Sequence, residues 1–128
     1  MDDLIRDFYS VFDNRDGRKP TVDDVTRFFL DGAVIAKKTS SGLEISNAVQ
    51  FAVPRIALLG GAELKDFHEW EAASETKTAG DLATRVSRYA KSGTYNGAPW
   101  NGAGTKIFQL VRVDARWKIL SLAWADDE

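Results

Sequence analysis

Over the first dozen residues the apolar positions Leu4, Ile5, Phe8, Val11 and Phe12 recur at spacings of one, three and four, which draws one stripe down an α-helix. Asp2 and Asp3 suit the N-terminus of that helix. Asn14-Arg-Asp-Gly17 supplies a stop, so the spacing predicts a helix from about Asp2 to Asn14. Thr21-Val-Asp-Asp24 is a capping signature, with the carboxylate three residues after the hydroxyl. It opens a second, short helix whose buried side is Val25, Phe28, Phe29 and Leu30, ended by Asp31-Gly32. Ala33 to Lys37 reads as a short strand, closed by the turn residues Ser40-Ser-Gly42. From Ser46 to Leu59 the apolar residues are too many for one stripe, as in a helix buried over much of its circumference. Pro54 breaks or kinks it, and Gly60-Gly61 ends it.

The rest of the chain reads as β. Leu64 to Lys77 and Asp81 to Lys91 flank Thr78-Ala-Gly80, a hairpin turn. Ser92 to Gly104 is rich in Gly and Asn and reads as a long hairpin connection or flap. Thr105 to Val113 and Arg116 to Trp124 are runs of β-branched and aromatic residues around Asp114-Ala115, a second hairpin. Helices first and strands afterwards indicate an α+β domain, with helices covering one face of an antiparallel sheet. About three N-terminal helices, one short early strand and four long C-terminal strands are expected, in a single domain spanning residues 1–128.

In the last hairpin one face carries Phe108, Leu110, Trp117 and Ile119, and the other Ile107, Val111, Leu120, Leu122 and Trp124. A sheet with one wet face would be polar on one of these sets. Both are apolar, so one face is expected to cover the helices and the other to meet a second copy, making a homodimer through the sheet. If Ala79-Gly80 is the turn, Thr78 faces Asp81, Trp70 faces Tyr89, and His68, Trp70, Arg85 and Tyr89 share one face. Glu71 and Arg88 then form a cross-strand ion pair on the other. His68, Trp70, Arg85 and Tyr89 are therefore the expected pocket residues.

Composition narrows the chemistry. The net charge of −2 and the scattered basic residues give no footprint for nucleic acid. No apolar run approaches the roughly 20 residues of a membrane span. The acidic N-terminus lacks the apolar core of a signal peptide. With no cysteine the chain suits the cytoplasm and offers no thiolate ligands. A single histidine and no calcium-loop motif leave a metal or cofactor without support. His68 lacks a second histidine for triad-type chemistry. It reads either as an ordinary hydrogen-bonded side chain or as a general base, with Tyr89 as hydrogen-bond donor to an oxyanion. Trp70 and Trp124 read as core or interface anchors before ligand platforms. Arg85, if it points inward, needs an anion or a carboxylate such as Glu69 or Glu71. The acidic set Glu63, Asp66, Glu69, Glu71 and Glu75 reads as a solvated face, and Asp126-Asp-Glu128 as a frayed end or a flap over the pocket mouth.

Three stretches together resemble the nuclear transport factor 2-like superfamily. They are Phe8-Tyr-Ser-Val-Phe-Asp-Asn-Arg-Asp16 with Phe28-Phe-Leu-Asp-Gly-Ala-Val34, Asp66-Phe-His-Glu-Trp-Glu71 with Gly80 to Tyr89, and Gln109-Leu-Val-Arg with Trp117 to Trp124. The resemblance implies a cystatin-like cone, three helices enclosed by a strongly curved sheet. It brings in ketosteroid isomerase, scytalone dehydratase and SnoaL-type polyketide cyclases. The Tyr and Asp pattern of the first and the His and Asp set of the second have no assignable counterpart here. Three functions follow as expectations. One is a container for a small, largely apolar molecule. Another is an acid–base enzyme of isomerase, dehydratase or cyclase type acting on an apolar carbonyl or hydroxyl substrate. The third is a protein–protein scaffold with a collapsed cavity.

Overall fold

The computed structural model describes residues 1–127. Helix α1 (Asp2–Val11) is followed by a 3₁₀ turn at Arg15–Gly17, helix α2 (Val22–Thr26), strands β1 (Phe29–Thr39) and β2 (Gly42–Ser46), and helix α3 (Ala48–Gly60). Four long strands complete the chain: β3 (Leu64–Ala79), β4 (Leu82–Tyr95), β5 (Ala98–Val113) and β6 (Arg116–Asp126). They form one six-stranded sheet in the order β2-β1-β6-β5-β4-β3, antiparallel except where β1 runs parallel to β6. The sheet curves around the helices, the cone expected from the sequence. No helix among the described residues is long and apolar enough to cross a membrane.

The helices start where the sequence places them and stop where tertiary bonds intervene. Thr21 and Asp24 form the expected reciprocal cap, and Asn47 and Gln50 form a second one at the start of α3. Helix α3 runs through Pro54 as one element, with Pro54 exposed on its surface. Helix α1 ends at Val11, short of Asn14, because the next residues bond elsewhere. The Asn14 amide donates to the carbonyls of Leu59 and Leu64, and its oxygen accepts the Phe67 N–H. This one side chain ties the end of α1 to both ends of the α3–β3 connection.

Several expectations are corrected. The early strand is a hairpin of two, because Gly42 to Ser46 pairs back on Ile35 to Thr39, and Phe29, expected on α2, pairs with Ile119 and opens β1. The glycine-rich stretch from Ser92 to Gly104 is strand, not a loop. Asn96-Gly97 alone makes the turn, both with positive φ (49° and 83°), as a type I′ hairpin requires. The turn between β3 and β4 is Gly80-Asp81, since Ala79 pairs with Leu82 and Gly80 takes φ 59°. That shift of two in the register sum keeps the faces as expected near the turn. A bulge between Glu71 and Ala73 then inverts them, so Glu71, not Trp70, lies across from Tyr89. A bulge at Gln109/Leu110 does the same in β6 and puts Leu122 on the buried side beside Ile119.

The core is aromatic at its centre. Phe8 makes edge-to-face contacts with Phe12, Phe28, Phe29, Phe108 and Tyr9, each about 0.5–1.5 kcal/mol beyond simple burial. It joins α1 to the segment that follows α2 and to strands β1 and β5. Ile5, Val25, Ile35, Leu110, Ile119 and Leu122 fill around it.

Candidate functional site

An open cavity of about 290 Å³ lies between α3 and the concave face of the sheet. Helix α3 supplies Phe51, Pro54, Arg55, Leu58 and Leu59, and the floor is completed by Phe12, Leu64 and Phe67. The sheet contributes charge and two indoles: Lys37 from β1, Glu69 from β3, Lys91 from β4, Trp100 and Lys106 from β5, Trp124 and Asp126 from β6. An apolar body with a few converging polar groups is the usual build of a small-molecule site.

Each polar group has a defined state. Lys106 is buried (5% exposed); its ammonium lies 2.9 Å from Glu69 and 3.8 Å above the Tyr89 ring centroid. Burial pushes that amine below its ordinary value, while Glu69 draws it back toward the charged form. The Tyr89 hydroxyl donates to Asp126, whose carboxylate also meets Lys91 at 3.1 Å. Burial raises the Asp126 carboxyl, but the Tyr89 hydroxyl and Lys91 outweigh it and hold the group below the usual carboxylate range. Burial, and then Asp126, push the Tyr89 phenol well above its ordinary value, so it remains a donor. Gly104 makes this pair possible. A Cβ there would overlap the Tyr89 hydroxyl and the Ala125 carbonyl, so only glycine leaves room for the ring to reach across.

A second bay of about 430 Å³ lies beside α1, lined by Asp2, Arg6, Tyr9, Ser10, Glu69, Trp70, Glu71 and Arg85. Its charges are spent internally. The Arg85 guanidinium bonds Glu71 and, at 2.6 Å, Asp2. Ser87 bridges Glu71 at 2.6 Å and Tyr9 at 2.7 Å. This network joins α1 to the sheet, and we place the candidate site in the first cavity.

The four residues expected at the site separate. Arg85 and Tyr89 face inward; Tyr89 adjoins the cavity through Asp126, and Arg85 belongs to the second bay. The bulge between Glu71 and Ala73 turns His68 and Trp70 away. Trp70 stands 42% exposed at the rim of the second bay, with the His68 ring stacked on it at 4.7 Å. His68 borders neither cavity, and its buried Nδ1 has no hydrogen-bond partner among the described residues. The expected Glu71–Arg88 pair is replaced by Glu71–Arg85, and Arg88 reaches Asp127 on the outside at 2.9 Å. Glu69, read as part of a solvated face, is inside, and Asp126 is the last residue of β6. No local pattern marks Lys37, Arg55 or Lys91 as a site residue. A lysine at Lys106, in the middle of an apolar strand run, was the available signal. Among the described residues no group of three His, Cys, Asp or Glu side chains is placed to hold a metal ion.

No family model matches the sequence, and no curated protein matches it. Solved structures do. A nuclear transport factor 2-like superfamily protein from Salmonella enterica serovar Typhimurium superposes with a TM-score of 0.76 at 13% identity, covering 98% of this chain and 87% of that one. A hexachlorocyclohexane dehydrochlorinase of LinA type 2 superposes with a TM-score of 0.75 at 13% identity, covering 99% and 82%. A protein with a cystatin-like fold from Nostoc punctiforme gives 0.70 at 13% identity, covering 98% and 86%. At such identities the shared feature is the fold.

Proposed function

We propose that this chain, with its nuclear transport factor 2-like fold, is a container for a small, largely apolar molecule held between α3 and the concave sheet. The observation that carries the reading is the open cavity itself, about 290 Å³ over a floor of Phe12, Phe51, Leu58, Leu64 and Phe67. A scaffold with a collapsed cavity would need Trp70, Phe51 and Leu58 to fill that space, and Trp70 points elsewhere. The test is calorimetric titration with methyl 2-naphthoate, a neutral bicyclic probe. The wild type is expected to bind it, and Leu58→Trp, which fills the cavity, is expected to lose binding while keeping its melting temperature. Equal binding by both proteins, or no binding by the wild type of either this ester or its parent acid 2-naphthoate, would remove the cavity from consideration.

One observation favours a second reading, acid–base catalysis on an apolar carbonyl or hydroxyl substrate. A carboxylate, Asp126, lies within hydrogen-bond reach of Tyr89 and borders the open cavity. In that reading Tyr89 donates to a developing oxyanion and Asp126 or Glu69 accepts the proton, and His68, outside the wall, takes no part. A structural neighbour of the same fold is a dehydrochlorinase. The reaction is read by deuterium exchange at the α-carbon of 2-tetralone in D₂O. Exchange above the buffer rate that disappears in Asp126→Asn and Tyr89→Phe supports it, and a buffer-level rate in the wild type rejects it.

The outer sheet face is assigned to a second copy of the chain. Val34, Val86, Ile107 and Leu120 stand 37–50% exposed there on neighbouring strands, an apolar surface of the kind that marks association.

A further inference from the structure

The charges around the cavity do not balance. Six ionisable side chains other than tyrosine line it: Lys37, Arg55, Glu69, Lys91, Lys106 and Asp126. Both carboxylates are engaged, Glu69 with Lys106 at 2.9 Å and Asp126 with Lys91 at 3.1 Å. Arg55 and Lys37 form no ion pair among the described residues. Glu44, Glu69 and Asp126 act on Arg55 only through space, and burial outweighs them, so the guanidinium is held below its ordinary value. An unpaired cation beside an apolar cavity is costly, and an anion entering the cavity would offset that cost.

The guanidinium is also held ready. Its Nη1 donates to the Phe51 carbonyl one helical turn back at 3.0 Å. Its Cζ lies 4.4 Å from the Phe51 ring centroid and 4.9 Å from that of Trp124. Nε and Nη2 have no acceptor among the described residues, so the part of the fork that binds oxyanions in two-point fashion is unused. Fixing a fork between two rings removes rotamer entropy that a ligand would otherwise have to overcome. Lys37 comes from the strand opposite. It pairs with Trp124 across β1 and β6, and its ammonium lies 5.9 Å from the same ring. Arg55 and Lys37 thus converge on one indole at the cavity wall, from a helix and from a strand.

We propose that the cavity takes a small organic acid: a carboxylate or equivalent oxyanion seated between Arg55 and Lys37 at Trp124, with its apolar body on the floor formed by Phe12, Leu64 and Phe67. This rests on the container reading and names its ligand class. The acid stays ionised and unreacted, so no bond changes are required. The four cations around the cavity, against two carboxylates, also give the entrance a positive field that favours anions over their neutral esters.

The experiment compares 2-naphthoate with methyl 2-naphthoate by calorimetry at low ionic strength. The wild type is expected to bind the acid about ten-fold or more tightly than the ester, with the preference shrinking as salt is added. Arg55→Gln is expected to lose roughly ten- to hundred-fold in affinity for the acid and to leave the ester unchanged. Arg55→Lys, which keeps charge but not the fork, should fall between them, and Lys37→Gln should lose less than Arg55→Gln. Thermal melts of each variant separate lost recognition from lost folding, and the salt dependence of the wild type stands independently of all variants. If the ester binds as tightly as the acid, or if Arg55→Gln weakens both equally, the acid assignment is overturned and the container stands. If neither probe binds the wild type, the container reading falls and the assignment with it.

Discussion

At the scale of single residues, buried charge decides what is rigid and what is pH-sensitive. Asp13 is 5% exposed and accepts from the Arg15 backbone and side chain and from Arg18 at 2.6 Å. Burial raises its carboxyl, but the Arg15 bonds and the Arg18 charge prevail and hold it below the ordinary carboxylate range. A carboxyl depressed in the folded state adds stability that is present above the unfolded value of about 3.9 and is lost as pH falls through the folded one. The difference in urea midpoint between wild type and Asp13→Asn should therefore be clear at neutral pH and should shrink as pH falls below about 3.9; a constant difference would show that the loss is one of packing. Asn14, next along, needs no charge. Its three bonds to backbone at Leu59, Leu64 and Phe67 set the corner from which β3 starts. Asn14→Ala is expected to cost about 2–4 kcal/mol in denaturant unfolding, because the freed groups are partly shielded from water. Neither role is visible in the sequence, where Asp13 and Asn14 look like the polar end of a helix.

At the scale of elements, turns and bulges set which side chains meet. The β5–β6 turn is the one the sequence shows, Asp114-Ala115, with Val113 paired to Arg116. Both turn residues have positive φ, 51° and 64°, and an alanine in that region is strained. Ala115→Gly should raise stability by about 0.5–1 kcal/mol, since the left-handed penalty it removes exceeds the extra unfolded-state freedom it brings. An unchanged or lowered melting midpoint would contradict the strain. Strand existence was legible because alternation and β-branched residues report a pleated, half-buried surface. The bulges at Glu71/Ala73 and Gln109/Leu110 were not legible. A bulge adds one residue opposite none, and its position follows from how the sheet must bend around Phe8 and its neighbours, which no local pattern encodes. That single residue at Glu71–Ala73 exchanged Trp70 for Glu71 on the inner face. The glycines from Gly93 to Gly104 misled for a related reason. Glycine marks both loops and strands where another group approaches closely, and Gly104 under Tyr89 is the second kind.

At the scale of the whole molecule, a cone of one curved sheet has two faces and only one set of helices. The inner face is covered by α1, α2 and α3, and the outer one carries Val34, Val86, Ile107 and Leu120 with 37–50% of their surface exposed. A homodimer through that face predicts that Ile107→Glu sediments as a monomer at concentrations where the wild type sediments as a dimer. A wild type that is monomeric throughout would end the assignment. Because the cavity opens on the other side of the sheet, the monomeric variant should still bind the naphthalene probes with unchanged affinity.

The sequence by itself determined the class of fold, the four long strands that follow α3, the cap at Thr21 and the final hairpin, because each of these rests on local periodicity or turn chemistry. Only the tertiary structure decided which polar groups share the cavity. Lys37, Arg55, Glu69, Lys106 and Asp126 come from five elements, and they are neighbours because of strand order and two bulges. Parity along a strand is an all-or-none property, so one inserted residue reassigns every side chain beyond it. Composition and spacing do not count that residue; the packed sheet does.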